Sequence, residues 1–217
     1  MNTADVALLS IRRRPLPAKQ MELFRKFADS GKPLVGIRTA SHAFSLRTET
    51  TPNPLSAWPE FDNQVWGGNY SGHHGNDTLP KISISSTDAK HSILSGIRLE
   101  PFSSNGSLYK TNPLAANTQI LMTGAIPSHP SEPVAWTFER PNGGISFYTS
   151  LGHKEDFQNE SFQRLLFNGL VWSSGLNQAE FKKVESAEGD NEGRKEEIPA
   201  LRKSSNVPAL QVESIAC

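Results

Sequence analysis

The sequence has little of what would assign it to several common classes of protein. Cys217 is the only cysteine and the last residue, so an intrachain disulfide, a cysteine-based metal cluster or a buried cysteine nucleophile is not expected. Neither sign of charge is in excess, since Lys+Arg and Asp+Glu number 22 each. This balance gives no reason to expect nucleic acid or an anionic membrane as a partner. No apolar run approaches the roughly 20 residues of a membrane span, and the first five residues do not resemble a signal peptide, so we expect a cytoplasmic protein.

The pattern of apolar residues predicts an α/β domain. Amphipathic helices are predicted at Pro17–Ser30 and at Glu160–Ser174, the second with Asn159 as its N-cap. Strands are predicted at Asp5–Ser10, Pro33–Ile37, Lys81–Ser85, Thr118–Gly124, Val134–Glu139 and Ile145–Leu151. A helix between the first two strands implies that they are parallel and joined by a right-handed crossover.

The composition changes after Gly175. Residues from Gln178 onward are rich in charge, show little periodicity and include Phe181 as their only aromatic residue. Such a segment does not bury enough apolar surface to offset the entropy lost on ordering. We therefore predict one α/β domain over residues 1–176 and a disordered tail, dispensable for folding, over residues 177–217.

Polar residues follow the first two predicted strands directly. Arg12-Arg13-Arg14 follows Asp5–Ser10 and could hold an anion or lie in a solvated loop. Arg38, Ser41 and His42 follow Pro33–Ile37, at the carboxyl end of a strand, where open α/β sheets bind their ligands. A guanidinium fork with hydroxyl and imidazole groups would suit a sugar or an anion. The alternative is a buried arginine bonded to backbone carbonyls or to a carboxylate.

A long irregular region, Ser45–Leu79, contains a glycine-rich stretch with candidate ligand-binding residues. These candidates are Asn69, Tyr70, His73 and His74. They could form a polar substrate-binding loop or a hydrogen-bonded structural loop. They could also form a metal site, in which His153 or His42 joins the histidine pair.

The segment Pro133–His153 reads as a hairpin that ends in a histidine. His153 lies just past a predicted strand and could act as a general acid or base, with Asp156 or Glu155 orienting it. It could equally cap the loop that follows. Among the tryptophans, Trp58 and Trp66 could stack on a sugar, whereas Trp136, inside a strand, is expected in the core.

Several fragments, read in order, resemble one known family. They are Val35-Gly36-Ile37, Gly67-Gly68-Asn69-Tyr70 with Gly72-His73, His91–Gly96, Ser107-Leu108-Tyr109, Pro133–Trp136 and Phe147–His153. Together they resemble the ThuA-like (trehalose-utilisation) family, within the class I glutamine-amidotransferase-like superfamily, over about Ala4 to Gly175. The resemblance implies a flavodoxin-like, doubly wound, mostly parallel sheet and a link to carbohydrate metabolism.

The resemblance also bears on the reaction. Amidotransferases of this superfamily carry a cysteine after a Gly-Ile-like pair, but here Gly36-Ile37 is followed by Arg38, which cannot be that nucleophile. Glutamine hydrolysis is therefore not expected. His153, with Glu155 and Asp156 nearby, is similar in position to the superfamily's catalytic histidine.

The residues and the resemblance together predict a protein that binds a sugar or a sugar-derived metabolite without a cofactor. In an enzyme of the hydrolase or isomerase type, His153 and Asp156 would be catalytic. The residues that would bind substrate are Arg38, Ser41, His42, Asn69, Tyr70, His73 and His74. Two alternatives remain open: a non-catalytic binding domain, and a metal-dependent hydrolase that uses His73, His74 and a further histidine.

The resemblance raises one expectation about the N-terminus. Family members usually begin with a further strand and helix before the segment that matches Asp5–Ser10. We hypothesise that the chain lacks this segment, which would leave a sheet edge unpaired. The chain made alone would then be poorly soluble or form homo-oligomers through that edge, and a soluble monomer would contradict the hypothesis.

Overall fold

The computed structural model describes residues 3–47, 50–85 and 90–176. The predicted tail and the single cysteine lie outside these ranges. Two α-helices are present, α1 (Ala18–Asp29) and α2 (Glu160–Ser173). The strands are β1 (Ala7–Leu9), β2 (Leu16–Pro17), β3 (Leu34–Ile37), β4 (Leu55–Ser56), β5 (Gly72–His73), β6 (Lys81–Ile84), β7 (Phe102–Ser103), β8 (Tyr109–Lys110), β9 (Thr118–Ala125), β10 (Glu132–Glu139) and β11 (Ile145–Thr149). Within the described ranges, no helix is long and apolar enough to cross a membrane.

Seven strands form one mixed sheet in the order β1-β3-β11-β10-β9-β6-β7. The pairs β1–β3 and β3–β11 are parallel, and the four remaining pairs are antiparallel. Five strands (β1, β3, β11, β9 and β7) therefore run one way, and only β10 and β6 run the other way. β1 is the edge strand at one end of the sheet order. The poor solubility or oligomerisation expected of a missing upstream segment stays a prediction.

The two helices cover opposite faces of this sheet. Successive side chains of a strand point to opposite faces, and β3 shows this directly. Leu34 packs in the cluster of α1 with Phe24, while Val35 packs in the cluster of α2 with Phe162. Both faces of β3 are buried, which explains its uninterrupted apolar sequence. The doubly wound α/β fold expected from the sequence is therefore confirmed.

The predicted elements are confirmed with small shifts at their ends. β10 and β11 form the predicted antiparallel hairpin, in which Trp136 pairs with Tyr148 in the core. Gly31, with φ +80°, follows the end of α1. The side chain of Asn159 caps α2 by accepting hydrogen bonds from the backbone amides of Ser161 and Phe162.

The long irregular region folds over the end of the sheet, and its tryptophans are not available to a ligand. Trp58 and Trp66 are 4% and 0% exposed and pack with Phe61, so the expectation that they stack on a sugar is wrong. Desolvation of their large apolar surface places them in the core. A π-helical segment, Asp62–Trp66, and the small sheet of β5 with β8 complete this layer.

Candidate functional site

The site lies at one edge of the sheet because β1, β3 and β11 are parallel and end there together. Arg12 comes shortly after β1, Arg38 directly after β3, and His153 shortly after β11. They border a cavity of about 490 Å³. Its lining comprises Arg12, Arg38, Thr39, His42, Arg47, Tyr70, His73, Asn76, Asn105, Gly106, Ser107, Tyr109 and His153.

The structure brings most of the predicted site residues together. Arg38, His42, Tyr70, His73 and His153 line this main cavity. An adjoining cavity of about 480 Å³ shares three of these residues, His42, Tyr70 and His73. Ser41 lines only the adjoining cavity, and the remaining predicted residues, Asn69, His74 and Asp156, line neither of the two.

Arg38 occupies the sharp turn at the end of β3. Its φ of +46° is unusual for a residue with a side chain and marks a strained backbone. Its Nη1 donates a hydrogen bond to the carbonyl of Ser150 at 3.2 Å, and its guanidinium lies 5.1 Å from the ring centroid of Tyr109. Gly106 allows this placement, because a Cβ at that position would lie 2.2 Å from Nη1. The guanidinium is therefore held in position before any ligand arrives.

His42 is a neutral imidazole in the wall between the two cavities. It is 7% exposed, its ring stacks on Tyr70 at 4.4 Å between centroids, and its Nδ1 lies 3.0 Å from the hydroxyl of Ser41. Burial first, and then the positive charges around it, lower its pKa to about 3. Those charges belong to Arg13, Arg12, Arg47 and Arg38. His42 can thus orient a hydroxyl but carries no charge at ordinary pH.

His153 and Asp156 do not form the predicted pair of side chains. The buried carboxylate of Asp156 accepts hydrogen bonds from the backbone amides of Gly152 at 2.9 Å and of His153 at 3.0 Å. It also accepts from the amide of Asn105 and from the hydroxyl of Ser104. Nδ1 of the His153 ring instead contacts the carboxylate of Glu155. Asp156 therefore positions the backbone that carries His153, and Glu155 is the residue placed to orient the ring.

The histidine pair of the glycine-rich loop divides between two places. His73 faces the main cavity, whereas the ring of His74 lies 4.4 Å from that of His129 and its Nε2 lies 3.9 Å from Oε1 of Glu132. In the part of the chain that the structure describes, no three His, Cys, Asp or Glu side chains are grouped to hold a metal ion. The predicted metal site of His73, His74 and a third histidine is therefore not formed by the described residues.

Asn69 has a structural contact rather than a place in the cavity. Its exposed side-chain amide donates a hydrogen bond to the carbonyl of Asn112 at 3.3 Å. This bond ties the loop before β5 to the segment after β8, so Asn69 supports the wall that Tyr70 and His73 form.

Asp62 was not singled out from the sequence, yet it lines the adjoining cavity. Its Oδ2 accepts a hydrogen bond from the amide of Tyr70 at 2.7 Å, and its buried Oδ1 has no hydrogen-bond partner among the described residues. Burial raises the pKa of this carboxyl to about 7. A lone aspartate among aromatic residues gives no sequence signal for such a role. Arg47 and Asn105 were also missed, because loop positions show no periodic pattern, and Tyr109 was missed because β8 is only two residues long.

Comparison with known proteins places the fold and the family. The chain is similar to the crystal structure of a ThuA-like protein from Bacteroides uniformis, with 17% identity and a TM-score of 0.57 over 78% of this chain and 69% of that one. It is also similar to a ThuA-like protein from Parabacteroides merdae, with 18% identity and a TM-score of 0.52 over 78% of this chain and 70% of that one. It is similar in fold to part of a cold-adapted β-galactosidase from Rahnella sp. R3, with 12% identity and a TM-score of 0.53 over 80% of this chain and 23% of that one. No curated protein matches the chain. The ThuA family model, described as trehalose utilisation, matches residues 2–173, and the chain therefore belongs to the ThuA family.

Proposed function

We propose that this protein binds a sugar or a sugar-derived metabolite in the main cavity at the carboxyl edge of the sheet. The observation that carries the proposal is the convergence of Arg38, His42, His73 and His153 on one cavity. The cavity also offers amide and hydroxyl groups, and the partly exposed ring of Tyr70 provides apolar surface against which a sugar can pack. The family description, trehalose utilisation, points to the same class of ligand.

The chemistry that this site supports best is acid–base chemistry at His153. Its ring is partly exposed at the cavity and contacts the carboxylate of Glu155 through Nδ1, which leaves Nε2 as the nitrogen to exchange a proton with the ligand. Glutamine hydrolysis is not part of the proposal, because Arg38 stands at the strained turn after β3 where that reaction needs a thiol. A hydrolase or an isomerase acting on sugars fits these groups.

Binding and turnover with the purified full chain test this proposal. The panel contains trehalose, glucosides and oxidised sugars, with binding measured by calorimetry and turnover by product analysis. Replacing His153 by Gln should lower turnover at least about 100-fold while leaving the dissociation constant within a few-fold. His129→Gln is the matched control, since His129 is exposed and lines neither cavity. Absence of binding across the panel would refute the proposal.

The second candidate is a non-catalytic sugar-binding domain, favoured by the arginine at the position of the superfamily nucleophile. Arg38 is bonded to the carbonyl of Ser150 and stacked on Tyr109, as expected of a binding residue. In this case the panel would yield binding without turnover, and His153→Gln would change only affinity. Arg38→Gln should weaken binding under either candidate function.

A further inference from the structure

The main cavity has a strong excess of positive charge. Arg12, Arg38 and Arg47 all line it, and they come from three separate segments of the chain. No aspartate or glutamate is among the lining residues that the structure describes. None of these three arginines is ion-paired with a carboxylate within residues 3–47, 50–85 and 90–176. Guanidinium groups gathered without a counter-ion repel one another, so the arrangement favours an anion between them.

A fourth arginine adds to the same field. Arg13 lines the adjoining cavity, donates a hydrogen bond to the carbonyl of Ser45 at 3.4 Å, and keeps its buried Nε without a described partner. Repulsion from Arg47 and Arg12, after burial itself, lowers the pKa of Arg13. Among the described residues, Asp62 is the only carboxylic acid that lines either cavity, and burial raises its pKa to about 7, so that it is only about half ionised at pH 7. The positive potential is therefore not cancelled locally.

Arg38 has the geometry of a pre-organised anion ligand. Within the described part of the chain, Nη1 is the only atom of its guanidinium that donates to a protein acceptor, and Tyr109 and the nearby Gly106 restrict where the guanidinium can lie. A fixed fork loses little entropy when it binds a phosphate or carboxylate with two parallel hydrogen bonds. Arg12 and Arg47 are exposed at the rim, where they would attract and enclose the same group.

The rest of the cavity suits the neutral part of a sugar. Asn76, Asn105, Thr39 and Ser107 supply amide and hydroxyl groups, and Tyr70 supplies the apolar surface of a partly exposed ring. We propose that the ligand is a sugar bearing one anionic group, a phosphate or a carboxylate, which Arg12, Arg38 and Arg47 bind while the amides and hydroxyls bind the sugar ring. This inference rests on the proposed function and specifies its substrate class.

Calorimetry with the full chain at low salt tests the inference. The probes are glucose 6-phosphate, trehalose 6-phosphate, glucuronate, glucose, trehalose and inorganic phosphate. We expect at least one anionic sugar to bind ten-fold or more tightly than its neutral counterpart, and to weaken as salt increases. The phosphorylated and carboxylated probes together tell which anionic group the arginines prefer.

Variants assign the effect to the arginines. Arg12→Gln and Arg38→Gln should each weaken binding of the anionic sugar about ten-fold, with a smaller effect on the neutral one. Arg98→Gln removes an equal charge from a different surface depression, where Arg98 pairs with Glu160, and should leave binding unchanged. If Arg38→Gln does not fold, Arg12→Gln still tests the inference, because Arg12 is exposed.

The possible failures differ. If glucose or trehalose binds as tightly as its phosphate, or if Arg12→Gln binds the anionic sugar normally, the anionic assignment is overturned and the proposed function stands. If inorganic phosphate binds as tightly as the sugar phosphates, the sugar part fails and the proposed function fails with it. If no anionic sugar binds, the inference is overturned.

Discussion

Two aspartates near the site, Asp156 and Asp62, have buried carboxyl oxygens, and their surroundings differ sharply. Asp156, 2% exposed, sits in the turn after β11 and accepts hydrogen bonds from three backbone amides and one hydroxyl. Asp62 sits in the π-helical segment and accepts one described hydrogen bond, from the amide of Tyr70, while Oδ1 has no described partner. Both carboxyl oxygens of Asp156 thus accept hydrogen bonds, whereas only one of the two oxygens of Asp62 has a described hydrogen-bond donor.

The difference separates a structural carboxylate from one that is costly to keep. Several N–H donors replace the water that Asp156 loses on burial, so its charge fastens the turn of His153 to the segment of Asn105. Asp62 loses water without such replacement, and its pKa rises to about 7. The carboxyl of Asp62, which lines the adjoining cavity, is therefore costly to the folded state when it is ionised.

Removing the Asp156 carboxylate should have the largest effect. Asp156→Ala leaves the amides of Asn105, Gly152 and His153 without this acceptor, and each orphaned buried donor costs on the order of 1–3 kcal/mol. We expect the free energy of unfolding, measured by urea denaturation, to fall by about 3–5 kcal/mol. Asp5→Ala, at an exposed position, is the control. A loss below about 1 kcal/mol would show that the turn does not depend on this carboxylate.

Asp156→Asn sharpens the comparison because it keeps the shape of the side chain and replaces only one carboxylate oxygen by an NH₂ group. An amide NH₂ in place of a carboxylate oxygen would face N–H donors and bond with fewer of them. The expected loss of unfolding free energy is about 2–3 kcal/mol, again by urea denaturation at pH 8. Stability equal to that of the unmodified chain would mean that the charge at this position is not used.

The same substitution at Asp62 should have the opposite sign. The folded-state pKa of about 7 lies above the ordinary value of 3.8, so the folded state binds more protons between about pH 4 and pH 7. The contribution of Asp62 to the free energy of unfolding is therefore greatest below about pH 4, and it is lost as the pH rises through 7. Asp62→Asn cannot ionise, so it avoids the loss of stability at high pH. Its amide oxygen can still accept the hydrogen bond from the backbone amide of Tyr70.

The measurement for Asp62→Asn is the free energy of unfolding at pH 8 and at pH 5. We expect a gain of about 1–2 kcal/mol at pH 8, smaller than the full pKa difference implies because the amide is also desolvated. At pH 5 the change should be close to zero, since the carboxyl is then protonated in the folded protein. A net loss at pH 8 would remove the distinction between the two aspartates.

Ser104→Ala should have the smallest effect. Its hydroxyl donates to Asp156 and accepts from the amide of Gly106 at 3.2 Å, so it is one donor among several for that carboxylate. We expect a loss of about 1 kcal/mol in thermal or urea denaturation, with Ser103→Ala as the neighbouring control. A loss as large as that of Asp156→Ala would mean that this hydroxyl, and not the backbone amides, stabilises the turn.

Part of the site could be predicted because strand ends can be located from sequence. Arg38 and His153 directly follow apolar runs that become β3 and β11, and parallel strands bring their carboxyl ends together. The partner of the His153 ring could not be predicted, because Glu155 and Asp156 are adjacent in sequence and only the path of the turn decides which one faces the ring.

The amino-acid sequence by itself determined the α/β elements, the hairpin of β10 and β11, the family resemblance and the region of the site. These features depend on local periodicity and on the order of strands, which a linear pattern records. Only the tertiary structure decided that Arg12 and Arg47 join Arg38 around one cavity, that Trp58 and Trp66 are core residues, and that Oδ1 of Asp62 is buried without a described partner. These features depend on the folding of the irregular region over the sheet edge, where contacts between distant residues set burial, charge and hydrogen bonding.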